Sequence, residues 1–84
     1  MKIVWNEPKR LANIDRHGVD FAALGDEFFL ASTIRTAKAG RLMAIGGIID
    51  GIVAVVARLG SEGISIISVR PASPAERRLF NGKA

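Results

Sequence analysis

Apolar residues recur at helical spacing near the start of the chain and alternate, or run continuously, through its second half, and the change of period marks out the elements. Lys2–Trp5 alternates weakly and predicts a short first strand. Asn6 is a good cap for a helix over Glu7–His17, with Gly18 as its stop. On that helix Leu11 and Ile14 form a narrow apolar stripe, while Lys9, Asn13 and His17 fall at i, i+4 and i+8 on a separate polar face. Asp20 predicts the cap of a second helix, with Val19 and Leu24 as a hydrophobic staple and Phe21, Leu24 and Phe28 recurring as core. Residues 31–40 show no clear period and read as a basic loop with room for a piece of strand.

Three strands are predicted next, at Arg41–Ile49, Ile52–Arg58 and Ile64–Arg70. Asp50-Gly51 signals a two-residue hairpin turn between the first pair, and Leu59–Gly63 turns the chain into the third strand. The last strand runs straight into a helix. Ser73 is its N-cap, Pro74 suits the first helical position, and Glu76 completes a capping box. The expected fold is α+β in one domain over 1–84: a short N-terminal strand, two helices, a three-stranded antiparallel meander and a C-terminal helix. Strict alternation puts Ile64, Ile66, Ser68 and Arg70 on one face of the last strand, opposite Ser65, Ile67 and Val69. Arg41 shares a face with Met43 and Ile45, and Arg58 ends the central strand. Arg41, Arg58 and Arg70 are therefore expected to converge near one edge or end of the sheet.

Charge sharpens this picture. The chain carries +4 overall, but residues 1–34 hold four basic and five acidic side chains while 35–84 hold eight basic and three acidic. Eight of the twelve basic residues are arginine, whose planar fork suits phosphate. Basicity fits a polyanion or an acidic protein equally well. An apolar share of 49% in so short a chain points to a packed globule with a partner covering part of its surface. The absence of cysteine excludes disulfides and thiolate metal sites and agrees with a reducing interior, so a cytoplasmic location is expected. The first residues lack a secretory apolar core. The one long apolar run, Leu42–Ala57, contains Asp50 and three glycines, so it reads as a hairpin rather than a membrane span.

With one histidine and no cysteine, there is no Cys–His pair and no histidine metal cluster. The serines lack a nucleophile-elbow context, and no phosphate-binding glycine motif is present. Metal-free chemistry on phosphate remains, and RNA brings its own nucleophile in the 2′-hydroxyl. A protein then needs to orient that group, move protons and neutralise charge growing on the phosphate. Arg41, Arg58, Arg70 and Arg77 are candidates for charge stabilisation, and His17 and Glu76 for proton transfer. Each has a plain structural alternative. Glu76 serves the capping box, His17 is favoured at a helix C-terminus, and of Arg77 and Arg78 at least one is a solvated helix charge. Trp5 reads as core or a rim anchor, with stacking on RNA as the alternative.

The segment Trp5-Asn6-Glu7-Pro8-Lys9-Arg10-Leu11-Ala12-Asn13-Ile14-Asp15-Arg16-His17-Gly18-Val19-Asp20-Phe21 resembles the opening of the BrnT toxin family, W-D-x-x-K-x-x-x-N-x-x-K-H-G-[VI]-x-F. Arg41-Leu42-Met43-Ala44-Ile45-Gly46 is similar to that family's R-[YF]-x-x-[IL]-G strand, and Ile66–Arg77 to its R-I-I-S-x-R-x-A-x-x-x-E-R ending. The resemblance implies a RelE-like α+β ribonuclease toxin of a type II toxin–antitoxin pair, acting on RNA without a metal or other cofactor. It implies a BrnA-type antitoxin partner, operator DNA reached only through that antitoxin, and no membrane. The family's polar set falls on Lys9, Asn13, His17, Arg41, Arg70, Glu76 and Arg77. On this reading His17, Arg41, Arg70, Glu76 and Arg77 are the catalytic candidates, while Lys9, Asn13, Arg58 and Arg78 bind RNA.

The chain departs from the pattern at Asn6 (usually aspartate), Arg16 (usually lysine) and Ser65 (usually arginine), and residues 31–40 lack an acidic lead-in. These departures leave room for a second reading, a non-catalytic basic binding module or a degenerate toxin acting only in a regulatory complex.

Overall fold

The computed structural model describes residues 2–82. Its elements are β1 (Ile3–Trp5), α1 (Glu7–His17), a 3-10 turn (Phe21–Ala23), α2 (Asp26–Ala31), β2 (Thr33–Thr36), a 3-10 bend (Lys38–Gly40), β3 (Leu42–Ile48), β4 (Gly51–Gly60), β5 (Gly63–Pro71) and α3 (Pro74–Asn81). The strands make one five-stranded sheet in the order β1-β5-β4-β3-β2. The expected α+β class holds. The meander β3-β4-β5 is only the middle of a mixed sheet, with β2 added antiparallel at one edge and β1 parallel to β5 at the other.

Local chemistry explains the helix ends. The Asn6 side chain accepts the Lys9 N–H at 3.1 Å, and Gly18 stops α1 at φ 71° with its N–H on the Ile14 carbonyl. Ser73 and Glu76 exchange side chain-to-backbone hydrogen bonds, so the capping box at α3 forms as expected.

The second helix is shorter than expected. Asp20 does cap, accepting the Ala22 N–H at 2.9 Å, but it starts only the 3-10 turn. Gly25 then takes an extended conformation and α2 restarts at Asp26. Part of the expected loop becomes β2, pairing Thr33–Thr36 with Leu42–Ile45. The β3–β4 turn consists of Ile49 and Asp50, one residue earlier than the Asp50-Gly51 signal suggests, because Gly51 already pairs with Ile48.

The core lies on one face of the sheet. Phe21, Leu24, Phe28 and Phe29 cover Ala44, Val53, Val55, Ala57, Ile64, Ile66 and Val69. Phe21 is fully enclosed, with Trp5 at the rim edge-on to it at 6.4 Å between ring centroids. The expected core of Phe21, Leu24 and Phe28 is therefore observed. On the opposite face, α3 crosses β3 near Ile45 and Ala54, both fully buried.

The expected alternation of β5 breaks at a bulge. Val56 pairs with Ser68 but Ala57 pairs with Ile66, leaving Ile67 without a partner on β4. The phase shifts by one residue, so Ile64, Ile66 and Val69 all enter the core. Ser68 and Arg70, opposite Val56 and Ala54, lie on the other face.

Asn13 joins three segments. β1 pairs with β5 only over Ile64–Ile66, so the outer edge of β5 is open beyond that point. There the Val69 N–H donates to Asn13 Oδ1 at 3.0 Å, while Asn13 Nδ2 donates to the Val19 carbonyl at 3.0 Å. The amide is 7% exposed. Replacing it strands a buried N–H and a half-buried carbonyl, so Asn13→Ala is expected to lower unfolding stability by about 1–3 kcal/mol. Denaturant titration checks this, and a change under a few tenths of a kcal/mol contradicts the bridging role.

Candidate active site

α1 presents Lys9, Asn13 and His17 on one stripe, and that stripe faces β5. The three side chains line an open groove of about 460 Å³, together with Asp15, Arg16, Ile67 and Ser68. The bulge shapes its far wall, because Ile67 and Ser68 sit where the strand changes phase. Within the groove the roles diverge. Asn13 is buried with both amide ends hydrogen-bonded, Lys9 is exposed, and His17 is half-buried.

Arg70 lies two residues beyond Ser68 on the same face of β5, about 7 Å along the strand. Its guanidinium forms a two-pronged pair with Glu76, Nη1 to Oε1 at 2.7 Å and Nη2 to Oε2 at 2.8 Å. Nη1 also donates to the Pro71 carbonyl at 3.3 Å. Glu76 is anchored in turn, since Oε1 accepts the Ser73 N–H at 2.8 Å and the Glu76 N–H donates to Ser73 Oγ at 3.2 Å. The rigid start of α3 thus fixes the direction of Arg70. The Nε–H and the second Nη2–H of Arg70 have no partner among the described residues, so one edge of the fork is left for an anion. The arginine side chain is 39% exposed and the glutamate 14%.

This pairing sets the ionisation of the corner. Chiefly through the hydrogen bond from Arg70, the Glu76 carboxyl is pulled down to about 2 against the opposing effect of burial, and Arg70 is shifted upward by the same contact. Glu76 therefore stays ionised across the physiological range, fulfilling the capping role and holding Arg70 as well.

The remaining candidates are spread out. Arg58 pairs with Ser65 near the start of β5, and Arg41 immediately precedes Leu42, which pairs with Ala57. Arg41 and Arg58 therefore lie together at one end of the strands. Arg70 pairs with Ala54, four residues back along β4 and about 13 Å away. The expected convergence of all three arginines is not observed, because register places Arg70 toward the opposite end. Arg77 and Arg78 are exposed on α3, with no ion-pair partner among the described residues.

Two basic residues escaped sequence reasoning, Arg16 in the groove and Arg35 on the sheet. Arg35 on β2 stands opposite Met43, in a cross-sheet row with Val56 and Ser68. The row lies on the face that carries Arg70. The alternation of Thr33 and Arg35 was the available signal, but register was needed to place it. Arg10 has a structural role that its sequence neighbours do not announce, bridging Glu7 and Asp20 at 2.7 and 2.9 Å.

The sequence profile of the ribonuclease toxin BrnT, of type II toxin–antitoxin systems, matches residues 5–76. The chain belongs to the BrnT family. Its fold is similar to the crystal structure of the Brucella abortus ribonuclease toxin BrnT, with a TM-score of 0.79 and 53% sequence identity, covering 87% of this chain and 97% of that one. No protein of curated function matches. The BrnT match takes in Lys9, Asn13, His17, Arg41, Arg70 and Glu76. Among the described residues no helix is long and apolar enough to cross a membrane, and no group of three or more metal-ligating side chains is gathered.

The Glu76 carboxyl ordinarily titrates near 4.5 and is lowered to about 2 in the fold. A group lowered on folding stabilises fully above its unfolded value and loses that contribution as pH falls toward its folded value. Stability is thus expected to drop between about pH 4.5 and 2 more steeply in the wild type than in Glu76→Gln. Thermal melts across that range check it; parallel curves count against the pair.

Proposed function

We propose that this chain is a RelE-like, metal-independent endoribonuclease toxin that inhibits translation in the cytoplasm and is neutralised by a BrnA-type antitoxin, which alone brings it to operator DNA. The observation that carries the reading is the Arg70 fork, fixed by Glu76 with one edge free, beside the groove that holds His17.

In this reading the RNA 2′-hydroxyl attacks the adjacent phosphorus and the bond to the 5′-oxygen breaks, leaving a 2′,3′-cyclic phosphate and a 5′-hydroxyl. Arg70 stabilises the charge that builds on the phosphate oxygens, meeting them already oriented. Its positive charge performs this task without a bound cation. His17 takes the proton from the 2′-hydroxyl as it attacks, and that proton is delivered to the departing 5′-oxygen. Glu76 positions Arg70 rather than exchanging protons, since both of its oxygens are held by the guanidinium and one also by the Ser73 N–H. Lys9 meets a phosphate at the groove mouth, and Asn13 shapes the groove wall. Arg41 and Arg58 hold RNA flanking the cleaved bond, while Arg77 and Arg78 add charge from α3.

The test is cleavage of RNA by the purified, antitoxin-free chain in EDTA, with Arg70→Ala and Arg70→Lys alongside. Wild-type cleavage is expected to persist in EDTA and yield cyclic-phosphate ends. Arg70→Ala should lose on the order of 100-fold or more, the scale for removing a charge-stabilising donor. Arg70→Lys should recover only part, since it keeps the charge but not the fork. Products with 5′-phosphates, or cleavage abolished by chelation, overturn the mechanism. Absence of cleavage by the folded protein, with and without ribosomes, favours the binding-module reading.

A further inference from the structure

Carboxylates are scarce in this chain, and three of the eight surround a single groove. The groove lies between the 3-10 turn with α2 on one side and the β3–β4 turn on the other, with a volume of about 950 Å³. Phe28 and Ile48 form its floor, buried and half-buried, and Ile49 stands fully exposed at its lip. Asp26, Glu27 and Asp50 ring it, and among the described residues no lysine, arginine or histidine lines it.

The groove is therefore an apolar concavity of negative charge on a molecule of net charge +4. A polyphosphate is repelled from it, so it does not extend the arginine surface. It also lies on the α2 side of the sheet, whereas Arg70 lies on the α3 side. The turn holds Ile49 at negative φ and so accepts an isoleucine, but it gives no reason for an apolar side chain that stands fully exposed. A covering partner does give one. What complements such a surface is a polypeptide segment with apolar side chains to cover Ile48 and Ile49 and flanking lysines or arginines to meet the carboxylates.

We infer that this groove docks a basic-flanked apolar segment of the cognate antitoxin. The inference rests on the toxin–antitoxin reading above and adds a second point of attachment, remote from the RNA-facing arginines. The segment anchors the antitoxin without itself blocking the arginine face.

The experiment measures binding of the cognate antitoxin to the wild type, Glu27→Lys and Ile49→Ser at low and moderate salt, with RNA cleavage and thermal melting followed on the same preparations. Glu27→Lys is expected to bind at least tenfold more weakly at low salt, with the deficit shrinking as salt is added. Ile49→Ser should bind severalfold more weakly with an unchanged salt dependence, and both variants should melt and cleave RNA like the wild type. Affinities within twofold of the wild type for both variants overturn the inference, whatever the cleavage assay shows. If the wild type cleaves RNA but does not bind the antitoxin, the inference falls together with the antitoxin part of the proposed function. If the groove variants lose affinity although the wild type does not cleave RNA, the docking site stands and only the catalytic reading fails.

Discussion

The buried amide of Asn13 is the contact on which the rest of the arrangement depends. A three-residue β1 leaves most of the outer edge of β5 without a neighbouring strand, and an open edge is both unsatisfied and adhesive. By accepting the Val69 N–H and donating to the Val19 carbonyl, Asn13 seats α1 against that edge and ties down the segment leading to the 3-10 turn. The same seating brings Lys9 and His17 over the bulge. One polar side chain of moderate size thus sets both the edge of the sheet and the wall of the groove.

The two faces of the sheet do different work. One is closed by four phenylalanine and leucine side chains over a layer of valine, alanine and isoleucine. The other carries Arg35 and Arg70 at opposite ends of two neighbouring rows, and α3 crosses it from the corner where Arg70 meets Glu76. The bulge at Ile67 makes this division possible, because it lets three apolar residues of β5 enter the core and still turns Ser68 and Arg70 outward. Glu76 couples helix initiation to charge placement. The contact that starts α3 also aims the arginine, so neither can shift without the other.

What was legible in the sequence came from local chemistry. The caps of α1 and α3, the aromatic core and the Lys9–Asn13–His17 stripe all depend on residues within a few positions of one another, and all are observed. What was not legible depended on pairing between distant segments. The phase of β5 required the one-residue slip against β4, the arginines required register, and β2 is a strand because β3 offers it an edge. Gly25 shortened the second helix where the spacing of apolar residues alone carried it onward from Asp20. At the candidate site, the polar stripe was visible but its division of labour was not. Nothing local distinguishes an asparagine that contacts a ligand from one buried against a strand edge.

The parallel pairing of β1 with β5 joins Ile3 to Ile64, so the sheet is completed only by bringing together segments far apart along the chain. Gly63 makes room for that meeting, since a side chain there runs into the Lys2 backbone, and the Ile64 N–H bonds the Lys2 carbonyl at 2.8 Å. Contacts of such long sequence separation form late and slow folding, because the entropy of closing the loop is lost before the pairing rewards it. The groove beneath α1 needs β5 for its far wall, and the Arg70 corner needs both β5 and the start of α3. During synthesis, a nascent chain that has not yet yielded β5 therefore has neither, and a ribosome making this protein meets the assembled surface only after β5 and the start of α3 have emerged.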